Sequence, residues 1–389
     1  MAIKSKDFLI LLIIMMCITP LTLPNFFFRI PLIETLVTLI NLLILVVFAL
    51  LNLLSIKRIN YLIVFSIVFF SWRYYSSHYL AGGITDLNNI ISTIALILVV
   101  NYFTGKNLKC LLNAMVIIFS IFIILNFLTQ FLFPNGLYLD IPRINQYRPA
   151  WVFGIDNAFL YYILPMITVI IFRSIIIRNR LTVFTVLMMS ISIVSIFLAH
   201  SATAIVTLLG LYIVIICYRF TFVNKFLNFV SLSIMYIIIW FFVIRVSSFE
   251  FFEYFIVDLL GKDLTFSGRT KIWNIAFEVI NANPWYGYGI GYAFRVSYTY
   301  FVAHNQLLQL TIENGIIGLL LFGVLLFIVG YKLQVYRGYI ESLILSIGIF
   351  MFFFAGLTEA YQYKYVFILF TFAYSIKKII INKEVSTNE

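Results

Sequence analysis

The sequence predicts an all-α polytopic membrane protein that crosses the bilayer about twelve times. Three observations carry this. Hydrophobic residues make up 63% of the 389 and charged residues only 11%, against about 25% charged in soluble domains. Apolar runs recur at close to the ~20 residues that one helical span needs. Lys and Arg cluster in alternate connections between those runs, as spanning topology requires. The last point also disposes of nucleic acid as a partner: the net charge of +11 is used to orient the chain in a membrane.

Taken in order, the runs are 7–24, 32–54, 60–72, 90–104, 108–133, 157–173, 181–199, 202–218, 227–246, 305–330, 341–357 and 364–381. The third and fourth are short and borrow from their flanks. Met1–Leu23 ends without a small-residue cleavage site and reads as a first span, not a cleaved leader. With the N-terminus cytoplasmic, every inside connection carries at least two positive charges, for example Lys57 and Arg58, Lys106 and Lys109, or Arg173, Arg178 and Arg180. Both termini are then cytoplasmic, in the inner membrane of a bacterium. The carboxylates Glu34, Asp86, Asp140, Asp156, Glu250, Glu253, Asp258, Asp263, Glu278 and Glu359 all fall outside. Residues 1–389 form one integral membrane domain, and 382–389 a cytoplasmic tail. Cys17, Cys110 and Cys217 lie far apart in sequence, with neither zinc spacing nor a disulfide framework.

Polar chemistry is thus concentrated on the outer (periplasmic) face, in a loop over 134–156 and a much longer one over 247–304. Connections that long usually have a task. Within the longer loop, TKIWNIAFEVINANP following Ser267-Gly268-Arg269 reads as a short amphipathic helix. Lys271, Asn274, Glu278 and Asn281 form its polar stripe, and Ile272, Ile275, Ala276, Val279 and Ile280 its apolar face. Pro284 ends it. The glycines of WYGYGIGYAF permit a tight turn or a close backbone approach, and no βαβ pattern supports a dinucleotide fold. His304-Asn305 then stands at the start of the next span, where the positive end of a helix favours an anion such as pyrophosphate.

SGRTKIW, NPWYGYGIG and HNQLLQLTIENGIIGLLLF together resemble the signature region of the O-antigen ligase and polymerase family, over Ser267 to Phe322. There a Ser-Gly-Arg and Ile-Trp pair precedes a helix. A Gly-x-Gly turn, a His-Asn and a Glu-x-Gly-x-x-Gly-like element, here Glu313 to Gly318, follow. RPAWVFGIDN, Arg148–Asn157, is similar to that family's outer Arg followed by Gly and Asn before a span. The resemblance implies an architecture like that of GT-C membrane glycosyltransferases and a part in lipopolysaccharide biosynthesis. The implied donor is a glycan on a polyprenyl pyrophosphate, such as undecaprenyl pyrophosphate. A polymerase joins such repeat units, so the lipid-linked glycan is both donor and acceptor. A ligase moves the finished glycan to lipid A–core. A chain-length regulator and a flippase are the implied partners beside membrane lipid. The family is described as inverting, with no metal and no cofactor.

The residues fit that chemistry. Loss of a pyrophosphate leaving group requires stabilised negative charge, and the attacking hydroxyl must lose a proton. The sequence holds no Asp-x-Asp pair for a metal, so arginine, whose fork matches phosphate, is the available substitute. Arg269 is the first choice, then Arg148, with Arg143 and Arg295 behind. His304 is the candidate general base, with Asn305 beside it. Glu313, inside a span, is a supporting candidate, because intramembrane carboxylates are costly. His78 and His200 read as interfacial hydrogen-bonding residues. Trp273, Trp285, Tyr286 and Tyr288 could stack on sugar faces or form an interfacial belt. A polymerase is the reading preferred, since nothing in the chain points to a lipid A–core acceptor. A ligase is the alternative, and a lipid-linked glycan transporter or flippase is a second, disfavoured by the lack of a repeat or charge-lined helices and by the elaborate outer loop.

Overall fold

The computed structural model describes residues 5–55, 59–80, 87–140, 147–219, 226–246, 265–296 and 299–388. Among them the helices are α1 (Ser5–Leu21), α2 (Pro31–Leu54), α3 (Tyr61–Tyr75), α4 (Leu87–Lys106), α5 (Leu108–Leu132), α6 (Phe159–Arg178), α7 (Val183–Leu198), α8 (Ala202–Ile216), α9 (Phe229–Val246), α10 (Thr265–Ala282), α11 (Gln306–Val335), α12 (Ile340–Ala355), α13 (Val366–Tyr374) and α14 (Ile376–Asn388). Each apolar run of the sequence has its helix, and the fold is an all-α polytopic membrane protein. Five described helices, α2, α4, α5, α6 with its preceding turn, and α11, are long and apolar enough to cross a membrane, and α7, α8, α9 and α12 are shorter apolar helices.

Local chemistry sets several starts. The side chains of Asn60, Asn107, Thr182 and Asn305 accept hydrogen bonds from the backbone N–H groups of Ile63, Cys110, Thr185 and Leu308, capping α3, α5, α7 and α11. Leu39, Leu43, Leu50 and Leu53 of α2 are exposed, an apolar face suited to lipid. By contrast α6 is buried along almost its whole length. It packs against α5, α7 and α12 at the middle of the bundle.

Two small antiparallel sheets decorate the predicted outer end. β1 (Tyr138–Asp140), β2 (Arg148–Trp151) and β3 (Gly154–Ile155) form one, with Asp140 opposite Arg148. β4 (Phe294–Val296) and β5 (Thr299–Phe301) form a hairpin. The long loop, expected to hold short helices, thus holds one helix and a hairpin among its described residues; 247–264 lie outside them.

Three local expectations are corrected. First, α10 begins at Thr265, so Ser267-Gly268-Arg269 lies inside the helix, not before it. A single interior glycine costs only about 1 kcal/mol, which packing offsets. The rest of that helix follows the pattern: Ile272, Trp273 and Ala276 are buried against Phe294, Ala303, Leu308 and Ile312, and Lys271, Asn274, Glu278 and Asn281 are exposed. Second, the run over 364–381, expected as one span, is two helices, parted at Ser375, and the second of them, α14, carries the chain to Asn388. Lys383 there pairs with the buried Glu341 of α12 at 2.6 Å.

Third, α11 is broken. Gly315 has φ 66° and ψ −175°, a backbone open only to glycine. The turn 284–289 lies in the break and replaces its lost ladder. Tyr288 N–H donates to Ile312 O at 2.8 Å, Gly289 N–H to Glu313 O at 2.9 Å, and Ile316 N–H to Pro284 O at 2.7 Å. Trp72 Nε1 donates to Asn314 O at 2.9 Å. The approach is so close that a Cβ on Gly315 would sit 2.0 Å from Trp285 O, and one on Gly287 2.6 Å from Asn314 N. A spanning helix tolerates a break where neighbouring groups satisfy the freed backbone.

Candidate active site

His304, Asn305 and Gln306 end the long loop and fasten it to the segment between α12 and α13. Gln306 N–H donates to Gly356 O at 2.6 Å, and Asn305 Nδ2 donates to Leu357 O at 3.1 Å. Gln306 Nε2 donates to Tyr361 O at 2.9 Å, and Tyr361 N–H donates back to Gln306 Oε1 at 2.6 Å. Asn305 Oδ1 caps α11 and also accepts from Trp240 Nε1. These bonds hold Glu359 beside His304, whose φ of 45° lies in the left-handed region. For a residue with a Cβ that conformation is uncommon, and such strain clusters at functional sites.

Glu359 is the hub. Its Oε2 lies 3.2 Å from His304 Nδ1. Its Oε1 accepts from Arg269 Nη2 at 3.2 Å and from Asn157 Nδ2 at 3.4 Å. The side chains of Arg269, His304 and Glu359 are 24%, 29% and 14% exposed, so the group is partly desolvated yet open to a ligand. An ionised carboxylate only accepts, so the proton between it and the ring belongs to Nδ1, and in a neutral ring the lone pair is then on Nε2. Arg269 spends one nitrogen on Glu359 and has further N–H donors for another anion.

A second cluster lies nearby in the chain. Glu313, just ahead of the α11 break, pairs with Arg73 Nη2 at 3.0 Å and accepts from Gly291 N–H at 2.9 Å and Gln309 Nε2 at 3.1 Å. Here both charged side chains are buried, at 9% and 11% exposure.

Of the residues singled out in the sequence, Arg269 and His304 meet on one carboxylate. Asn305 holds the loop beneath them, and Glu313 is locked in the second cluster. Arg148 is exposed on β2 and, among the described residues, has no contact with Arg269, His304 or Glu359. Asn157, the other end of the RPAWVFGIDN segment, does reach Glu359. Arg295 is exposed on β4 opposite Tyr300, and Arg143 lies outside the described residues. His78 stacks on Tyr74 and is exposed, as is His200. Trp273 is not available to a sugar: it is 1% exposed and its Nε1 donates to Ala303 O at 3.0 Å. Trp285 and Tyr286 are exposed, and Tyr288 stacks on Tyr292.

Glu359, Arg73 and Asn157 had no place among the predicted site residues. Glu359 stood only among the outer carboxylates. Its signal was position: a carboxylate in the last connection predicted to be outside, ahead of a strongly apolar span.

Comparison with known proteins agrees with the motif region. Residues 185–323 match the family model described as O-antigen ligase, a stretch from α7 to the middle of α11 that includes Arg269, His304 and Glu313. No curated protein matches the chain, and no solved structure does.

Proposed function

We propose, from the premise that residues 185–323 are an O-antigen ligase-family region in a multi-pass membrane protein, that the chain is a surface-polysaccharide polymerase. It joins repeat units carried on polyprenyl pyrophosphate at the outer face of the inner membrane, with both its termini in the cytoplasm. His304 Nε2 takes the proton of an acceptor sugar hydroxyl. The hydroxyl oxygen attacks the anomeric carbon of the donor glycan and forms the new glycosidic bond. The bond from that carbon to the pyrophosphate oxygen breaks, and its electron pair leaves with the polyprenyl pyrophosphate. Arg269 binds the charge that builds there, without a metal, and the single displacement inverts the anomeric centre. Glu359 is a positioning residue: it holds the imidazole with Nε2 free and the guanidinium alongside it.

The observation that supports this reading most is the shared carboxylate, which sets one proton acceptor and one phosphate-matching cation side by side. The test is glycan length in a deletion strain complemented with His304→Ala or Arg269→Ala. Chain growth is expected to stop while the protein still inserts; normal polymer from either variant removes that residue from the mechanism. Activity of the purified protein that survives a chelator supports the metal-free route, and strict metal dependence opposes it.

The matched family's own description favours a second reading, in which the same site transfers finished glycan to lipid A–core. Deletion separates the two. Loss of a polymerase leaves single repeat units on the surface lipid, and loss of a ligase leaves none. The break in α11 is the feature a transporter would rest on, but here the turn 284–289 fills it.

A further inference from the structure

The transfer chemistry makes no use of one donor at its centre. Asn157 stands just before α6, in the short turn Asp156–Ala158. An asparagine at a helix start ordinarily accepts from the first backbone N–H groups of that helix. Asn157 does not, since neither the turn nor α6 has a side-chain cap. Its backbone N–H donates to Asp156 Oδ1 at 2.9 Å, and its side-chain amide crosses to the connection between α12 and α13, where Nδ2 donates to Glu359 Oε1 at 3.4 Å.

Both sides of that contact are anchored. Ahead of Asn157, Phe153 N–H donates to the buried Asn126 Oδ1 at 3.0 Å, and the Phe153 ring stacks on Tyr162 with centroids 4.7 Å apart. Trp151 Nε1 donates to Phe133 O at 2.8 Å. Around Glu359, the hydroxyls of Thr358 and Thr203 share a hydrogen bond at 3.0 Å, and Gln362 Oε1 accepts from Tyr161 at 3.4 Å and from Asn89 at 3.2 Å.

Charge gives the second donor its purpose. Arg269 and Asn157 both donate to Oε1, while Oε2 faces His304 Nδ1. In the transfer step a diphosphate competes with Glu359 for the Arg269 guanidinium. The bond from Arg269 to Oε1 is then weakened just when the carboxylate has to stabilise the imidazolium formed at His304. The amide of Asn157 is neutral, so the diphosphate does not draw it away. For the same reason it fixes the carboxylate without offsetting its charge.

We propose that Asn157 is a positioning residue: by donating to Oε1 it keeps Oε2 of Glu359 on His304 Nδ1 when Arg269 engages the pyrophosphate. The assignment rests on the reading of the chain as a glycan transferase with His304 as its base.

The test uses the full-length protein in lipid nanodiscs, with lipid-linked repeat units extracted from a deletion strain as substrate and thermal unfolding as the control for folding. Asn157→Ala is expected to lower kcat about fivefold, the worth of one hydrogen bond, and to leave KM unchanged. Asn157→Asp keeps the shape, removes the donor and sets a second carboxylate against Glu359, so it is expected to be about tenfold slower still. A space-filling role gives the opposite order, because aspartate fills the site and alanine does not. In a Glu359→Gln background, Asn157→Ala is expected to change kcat by less than about twofold, since its effect passes through that carboxylate. Wild-type kcat in Asn157→Ala overturns the proposal, as does an equal loss with and without Glu359.

A readout independent of turnover is the nitrogen-15 spectrum of histidine-labelled protein, with His304 identified as the signal lost in His304→Ala. Arg269→Ala is expected to keep the neutral ring as the Nδ1–H tautomer, because Asn157 still holds Glu359. Arg269→Ala with Asn157→Ala is expected to make the Nε2–H tautomer the major one. The same tautomer in both overturns the proposal. If His304→Ala keeps chain growth, the catalytic reading falls, and the tautomer alone decides whether Asn157 holds Glu359 against His304.

Discussion

Two carboxylates near one end of the bundle, Glu359 and Glu313, each hold an arginine, yet their surroundings differ. Glu359 lies in a connection between helices, binds its arginine at 3.2 Å, and shares its other oxygen with a histidine that keeps a free ring nitrogen. Glu313 lies within α11 and binds its arginine at 3.0 Å, with the backbone of the Gly-rich turn and Gln309 both donating to its other oxygen. The first cluster has spare chemistry and partial exposure; the second is buried and closes a break in a helix. Residue type alone does not separate a reactive site from a structural one. What separates them is whether the donors and acceptors left over can be reached: Arg73 Nη1 also lacks a partner among the described residues, but it is buried.

The largest effect that tests this contrast is His304→Ala. We expect chain growth to fall about 10²–10⁴-fold, the usual worth of general base catalysis, with thermal stability near that of the wild type. A comparable loss of stability would make the first cluster structural too. Glu313→Ala should do the reverse. Stranding the buried guanidinium of Arg73 is expected to cost about 3–5 kcal/mol, read as a lower unfolding temperature in detergent and less protein in the membrane. A stable Glu313→Ala protein would break the comparison. Glu359→Gln sits between the two. It keeps the size of the side chain but weakens the hold on His304 and Arg269 by about 1.5–3 kcal/mol, or roughly ten- to a hundredfold in rate; unchanged turnover would show that the imidazole needs no positioning. Trp273→Phe should have the smallest effect. It removes one buried hydrogen bond, about 1 kcal/mol of stability, and leaves chain growth unchanged. A fall in activity at full stability would return this indole to the substrate.

Much of this was legible in the sequence. The amphipathic face of α10 was readable from the spacing of Lys271, Asn274, Glu278 and Asn281, because a helix repeats every 3.6 residues and a buried face must follow that period. The need for glycine at 287 was readable as a close approach, though not what it approached. The start of α10 was misread because Gly268 resembles punctuation, while the cost of one glycine is small beside the burial of Ile272, Trp273 and Ala276. The break in α11 was hidden because Gln306–Val335 is apolar enough on average to read as one span, in spite of Glu313 and Asn314 just before Gly315.

By itself the sequence determined the medium and the local elements: too little charge for water, apolar runs of spanning length, the amphipathic helix before Pro284, and a long loop carrying Arg269 and His304. These follow from composition and from interactions among residues close in the chain. Only the tertiary structure decided that Glu359 joins the pair, across 55 residues from His304 and 90 from Arg269, and that Glu313 is used up by Arg73, 240 residues away. Contacts over such separations leave no local period, because they are set by how the helices pack and where each connection is fastened.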